Sequence, residues 1–311
     1  MTAYVVRRLL LLVPVVLGVV TISFFLMHMT PGDPARDFLG DRASQQSVDA
    51  LRHKWGLDQS LGAQYLHFLR DAATGHLGTS LYFGSPITHL LGVRLPVTLL
   101  LMLLGTVLAV LISVPLSVLS TASRRGYAAT AVRAFNAVVQ GMPTFFIGSM
   151  LILFLGLRTR VFPAGGYPEG FPHRLWALVL PAVTVALGIV PLLVRSLNAS
   201  MVEISRSEFV AFGWAKGLDR ARILLHYVVR NSSIAGISIL GIQVGALAGG
   251  TLVVEQVFAL PGMGSMLMTA ILNRDYPVVQ ACTLCFAVLV VLVYLVTDLV
   301  YAVLDPRVRP S

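Results

Sequence analysis

The sequence predicts an all-α membrane protein with six transmembrane helices, and three observations predict it. The 311-residue chain is 56% hydrophobic and only 12% charged, far from the balance of a soluble domain. Six apolar runs reach the ~20 residues that a helix rising ~1.5 Å per residue needs to cross a hydrocarbon core of ~30 Å. They cover roughly 9–29, 97–119, 134–157, 176–197, 233–255 and 278–304. None alternates apolar and polar residues as a membrane barrel strand does; "LLLLVPVVLGVVTISFFLM" is uniformly apolar.

The first run (domain 1–29) follows Arg7 and Arg8. It is longer than a signal-peptide core and no small-residue cleavage site follows, so it reads as an uncleaved signal anchor. With the N-terminus inside, the cytoplasmic segments carry 13 of the 23 Lys and Arg and the outer segments 10. Long outer segments count little toward orientation, and setting aside the first one leaves 13 against 4. Both termini are therefore expected in the cytoplasm. The net charge of +9 is spread over these loops rather than gathered in one stripe, which marks topology and excludes a nucleic-acid partner.

Residues 30–93 form the one sizeable segment outside the spans. "SVDALRHKWG" places Val48, Leu51 and Trp55 on one helical face before Gly56, and "DQSLGAQYLHFLRDAATG" repeats the device with Leu61, Tyr65 and Phe68 before Gly75. Two short amphipathic helices are expected. "HLGTSLYFGSP" reads as a loop and "PITHLLGVR" as an interfacial helix entering the second span at Pro96. The segment has no catalytic constellation. Six of the seven histidines fall on or near the outer side, without the i, i+4 spacing of a helical metal site, so no metal is expected.

Residues 94–304 form the core. In the fifth run Gly241, Gly245 and Gly249 recur at four-residue steps, a helix-packing face for this chain or for a second subunit. Glu255 at the outer end of that run is a candidate pathway or gate residue, with an outer-interface cap as the alternative. Cys282 and Cys285 sit at helical spacing in the last run and read as small core residues; Asp298 reads as an inner-interface anchor. Ser149 in "FIGSML" has no base at hand and reads as a packing residue rather than a nucleophile.

The fourth and fifth runs are interrupted at about 198–231 by "EFVAFGWAKGLDRARILLHYVVRN", residues 208–231. Phe209 and Phe212 stand at i, i+3 and Val210 and Trp214 at i, i+4, on a helix too short to span. Gly217 supplies a stop and Asp219 a cap for the next helix. Aromatics beside charges on such a helix suit insertion into a cleft on a partner protein.

This helix, glycine and helix resembles the coupling loop of ABC importer permeases. The whole chain resembles the permeases of dipeptide, oligopeptide and nickel importers. The carrying residues are "PGDPAR", "WGLDQSLGAQY", "GHLGTS", "RLPVTLLL", "GMPTFFIG", "VFPAGG", "AKGL", "TLVVEQVFALPGMGSMLMTAILNRDYPVVQ" and the terminal "DPRVR" in the tail 305–311. The resemblance implies a type I importer permease fold in a bacterial cell membrane. It also implies a homologous second permease, two ATP-binding cassette ATPase subunits that hold ATP and Mg, and an extracytoplasmic solute-binding protein. This chain would be the first of the two permeases, its outer segment a vestibule beneath the binding protein. ATPase coupling would fall to Glu203, Arg206, Glu208, Phe209 and Phe212, with Trp214, Lys216, Gly217 and Leu218. The chain departs from the family pattern at Ala211, where an acidic residue or arginine is usual, and at Tyr227, where histidine is usual. Phe212 and Trp214 replace smaller or basic residues.

One reading is independent of the resemblance. Lys54 and Lys216 are the chain's two lysines and neither lies in a phosphate-binding G-x-x-x-x-G-K-[ST] loop, so the chain has no such ATP site and its energy must come from elsewhere; that it is a transport subunit and not an enzyme is what the resemblance implies. Peptides are the first expected substrate, with nickel, glutathione, haem or another small solute as alternatives. A proton-coupled transporter using Glu255 and Asp298 as carriers is the rival class.

Overall fold

The structure is a computed structural model that describes residues 2–29, 32–40, 43–80, 82–123 and 126–304. These residues fold almost entirely into helices and divide into two compact units, Met1–Thr98 with Pro261–Val291, and Leu99–Leu260 with Leu292–Ser311. The tail 305–311 lies outside the described residues.

In the first unit α1 spans Thr2–Met29 and α2 Pro34–Leu39, followed by α3, Gln45–Trp55, and α4, Leu61–Thr74. Each of the last two begins where sequence chemistry says it must. Ser44 and Ser60 accept hydrogen bonds from the main-chain nitrogens of Ser47 and Ala63, and Gly56 and Gly75 close the ends at φ +67° and +74°. Ala35, Val48 and Leu51 pack as one cluster with Trp55 and Leu57 at its edge. The α4 aromatics meet α1: Phe24 is 3% exposed, with Phe68 stacked at 5.8 Å and Tyr65 edge-on at 5.3 Å. Thr21 Oγ1 and Tyr65 OH share a 2.7 Å hydrogen bond.

A second core of this unit gathers Ile87, Met263, Met266, Ala270, Val278 and Cys282. It joins the start of α5, Ile87–Ala122, to α13, Met263–Leu272, and α14, Tyr276–Leu304. Thr98 Oγ1 accepts from the Met263 nitrogen at 2.9 Å, satisfying a donor at the first turn of α13. The expected separate interfacial helix at 86–94 is instead the first turns of α5, a single 36-residue helix that runs through Pro96. Leu90, Leu91 and Leu95 pack against the cluster around buried Ile87, which holds the helix where proline removes one hydrogen bond.

The second unit is built around α9, Val179–Ser205, the most buried of the long helices, packed on α12, Arg230–Val257, and on α7, Thr144–Leu151. The expected continuous third span over 134–157 is broken. α6, Tyr127–Gln140, and the α7 segment are bent by 103° across Gly141–Pro143. Pro143 has no amide to donate and drives the residue before it out of the helical region; apolarity alone runs through the break unchanged. Among the described residues four helices are long and apolar enough to cross a membrane, Ile87–Ala122, Val179–Ser205, Arg220–Val257 and Tyr276–Val300, and the bent pair makes five when taken as one span. α1 is 28 residues long, with Val13–Phe25 its described apolar stretch.

Candidate functional site: a helix turn helix

After α9 the chain turns at Ser207 (ψ 152°) into α10, Glu208–Ala215. Glu208 sits in the first turn, where a carboxylate complements the helix dipole. At the other end Gly217 adopts φ +74°; its nitrogen donates to the Trp214 carbonyl at 2.9 Å, and the Leu218 nitrogen donates to the Gly213 carbonyl at 3.2 Å. This pair of bonds is the Schellman closure, which satisfies carbonyls left over at the helix end and needs a left-handed residue where Gly217 stands. Asp219 Oδ2 then accepts from the Ala221 nitrogen at 3.0 Å and starts α11, Arg220–Arg222. A wider π turn, Ile223–Val229, leads into α12.

The helix is seated by its small inner face. Val210 is 2% exposed, and a Cβ on Gly213 would contact Ile223 and Leu218 side chains at 3.7 Å. Its aromatic face is open: Phe212 is 61% exposed, Trp214 50% and Phe209 45%. Lys216 Nζ lies 4.5 Å from the Phe212 ring centroid, a cation–π pair that orders both side chains. Glu203 and Arg206 are both exposed and are not joined in an ion pair among the described residues. Eight of the nine predicted coupling residues are thus exposed on this segment, and Leu218 is half-buried in its turn.

Two residues that sequence reasoning left out of the site hold it in place. Arg220 Nη2 donates to the Ala122 carbonyl at 2.5 Å, capping the C-terminal end of α5. Its partner is 98 residues away, and no local pattern marks it. Phe209 stacks on Tyr227 with ring centroids 6.5 Å apart. The aromatic at position 227, a departure from the family pattern, has a partner within this chain.

The other predicted residues separate. A Cβ on Gly241 would stand 2.0 Å from Thr297 Cγ2, and one on Gly245 3.0 Å from the Tyr294 ring, so both glycines admit α14 against α12. Gly249 meets nothing within 4 Å. The three-glycine face is therefore a two-glycine contact in this chain, α14 reaching Gly241 and Gly245 through Thr297 and Tyr294. Glu255 is fully buried, and its carbonyl accepts from Leu260 at 2.8 Å at the end of α12. Beyond it, Gly166 donates to the Phe258 carbonyl at 2.9 Å, and a Cβ on Gly165 would approach that oxygen to 2.8 Å. The "VFPAGG" and "EQVF" motifs are thus one packed corner. Among the described residues no group of three or more His, Cys, Asp or Glu is placed to hold a metal ion.

The pattern described as "Binding-protein-dependent transport system inner membrane component" matches residues 113–310, and the pattern of its N-terminal companion matches residues 1–102. The oligopeptide transport system permease protein AppB of Bacillus subtilis (strain 168) is 35% identical, over 99% of this chain and all of the relative. The dipeptide transport system permease protein DppB of Lactococcus lactis subsp. cremoris (strain MG1363) is 30% identical over the same shares. A solved structure titled as inward-facing MetNI methionine ABC transporter superposes with TM-score 0.60 at 17% identity, over 71% of this chain and 98% of that one; at that identity the likeness is one of fold. A multi-pass helical chain with matches of this length belongs to the family of binding-protein-dependent ABC transporter permeases.

Proposed function

We propose that this chain is one of two paired membrane subunits of an ATP-driven peptide importer in the bacterial cell membrane, with both termini cytoplasmic. Segment 198–231 seats in a cytoplasmic ATPase, and the residues that make the seat are Glu203, Arg206, Glu208, Phe209, Phe212, Trp214, Lys216, Gly217 and Leu218. A homologous permease completes the pathway. Two ATPases hold ATP and Mg, and an extracytoplasmic binding protein delivers the substrate. The division into 1–29, 30–93, 94–304 and 305–311 is then anchor, outer vestibule, transport core and tail. The peptide assignment is supported by the oligopeptide and dipeptide names of the full-length relatives.

The observation that carries the coupling reading is the open aromatic face of a helix locked by the Gly217 turn. Half-exposed rings on a short, rigid helix are the anchors from which protein interfaces draw most of their energy. A rigid seat transmits the motion of a closing ATPase dimer, whereas a flexible loop would absorb it. Gly249 and the nearby hollow of about 170 Å³ lined by Thr144, Gly188, Gln243, Ala246 and Gly250 support a second-permease or pathway face on this unit.

The test is a Trp214→Cys variant crosslinked in native membranes. A product with a nucleotide-hydrolysing subunit is expected, and its absence overturns the seat. Vesicles holding the permeases should import peptide when the ATPases and the binding protein are added. Import driven by a proton gradient without ATPases would instead favour the secondary-transporter class. The ligand retained by the purified binding protein separates peptides from nickel, glutathione or haem.

A further inference from the structure

The first unit contains a cleft of about 280 Å³ that the coupling mechanism does not use. It is enclosed by the end of α3, one face of α4, the loop after Gly75 and the first turn of α14, all within that unit. Trp55 and Phe68 give it an aromatic wall. Lys54, His67 and Asp71 line it as well, each exposed, and their side chains make no hydrogen bond or ion pair among the described residues. The cleft therefore offers a cation, an imidazole and a carboxylate that the fold itself does not employ, beside an apolar surface.

The chain next to two of its lining residues, Thr79 and Pro277, is tied down. Ser80 Oγ donates to Asp275 Oδ2 at 2.5 Å, and the Phe83 nitrogen donates to Ser80 Oγ at 2.8 Å. Ser80 is 2% exposed and Asp275 fully buried. This bond joins positions 195 residues apart and fixes their neighbours Thr79 and Pro277, both of which line the cleft. Lining residues whose neighbours are joined by a buried hydrogen bond do not have to be ordered by the ligand.

We propose that this cleft binds a dipeptide or tripeptide in its zwitterionic form, with the ammonium end on Asp71, the carboxylate end on Lys54 and an apolar side chain against Trp55 and Phe68. The proposal rests on the peptide reading above and deepens it by naming a subsite and a size class. Ligand pockets commonly run from ~300 to ~1,000 Å³, and a cleft of about 280 Å³ lies just below that range, which suits a short peptide better than a long one. Lys54 and Asp71 both line the cleft, and a pair of opposite charges suits the two ends of a zwitterion better than a simple anion or a simple cation.

The experiment uses the complete permease and ATPase complex in nanodiscs without its binding protein, with tritiated Ala-Phe as probe in equilibrium dialysis. Saturable binding is expected. Asp71→Asn should weaken it about tenfold and abolish the preference for Ala-Phe over N-acetyl-Ala-Phe; Lys54→Met should do the same for the preference over Ala-Phe amide. Both residues are exposed, so the variants should assemble normally, and Trp55→Ala supplies an uncharged third probe. No saturable binding up to millimolar peptide, or binding that all three variants leave unchanged, overturns the proposal. So does a loss of binding-protein attachment in these variants with peptide binding intact, which would make the cleft a protein-docking site. Ala-Phe uptake by the full importer separates the two levels. Uptake without cleft binding sinks the subsite alone, while a system that imports no peptide sinks the peptide reading and the subsite together.

Discussion

Helices α3 and α4 of the first unit and helix α10 of the second are written in the same local grammar and use their aromatics in opposite ways. All three end at a left-handed glycine, Gly56, Gly75 and Gly217. The outer pair opens on serines that cap main-chain nitrogens, whereas Ser207 before α10 makes no side-chain cap. Tyr65 and Phe68 of α4 are satisfied inside the unit by Phe24 and Thr21. Phe212 and Trp214 of α10 remain at least half exposed. Helix, stop and aromatic content therefore do not tell a helix that packs its aromatics inside the fold from one that leaves them open; the direction of the aromatic face does.

Four measurements break or sharpen this contrast, and the largest effect is expected at the turn. A left-handed conformation costs an L residue ~1–2 kcal/mol, more when it is β-branched. Gly217→Val should therefore disorganise the Schellman closure and reduce ATP-dependent uptake more than tenfold, with membrane insertion and basal ATP hydrolysis retained. Uptake at the normal rate in vesicles would show that the turn is not the joint. Next in size is an outer aromatic. Phe24→Ala removes a ring buried against Phe68 and Tyr65, a change that typically costs ~3 kcal/mol; the thermal midpoint in detergent should drop while ATPase co-purification stays intact.

The aromatics of α10 should behave in the reverse manner. Phe212→Ala with Trp214→Ala should leave the thermal midpoint within a degree or two of the original, since exposed side chains contribute little to folding. ATPase retention should weaken about tenfold or more, as truncated interface anchors do. If the midpoint falls and retention does not, the two regions do not differ as described. The smallest effect belongs to the exposed outer turn. The hydrogen bond from His53 Nδ1 to Asp58 Oδ2, 2.8 Å long, holds the Asp58 carboxyl below its ordinary value. A depressed carboxyl contributes above its unfolded pKa and loses that contribution as pH falls through the folded one. His53→Ala should move the Asp58 titration upward in an NMR measurement, with no detectable change in stability for so exposed a pair.

Much of this molecule is legible residue by residue. Ser44, Ser60 and Asp219 cap helices, and Gly56, Gly75 and Gly217 stop them, because capping and left-handed backbone are decided within one turn of chain. The exposed face of α10 also follows from the spacing of its aromatics around a small inner edge. The bend at Gly141–Pro143 was equally local, yet a search for continuous apolarity passes over it, since a broken span and a straight one present the same composition to lipid.

The sequence by itself determined the two short helices after α1 and their glycine stops, and that one short helix between two apolar runs carries aromatics at helical spacing. The tertiary structure alone decided which distant groups meet. Ser80 finds Asp275, Arg220 finds the Ala122 carbonyl, Phe209 finds Tyr227, and α14 takes Gly241 and Gly245 but leaves Gly249 open. Periodicity sets the face on which a side chain stands. Its partner on another element is set by how whole helices pack, and that is a property of volumes and crossing geometry rather than of any local run of residues.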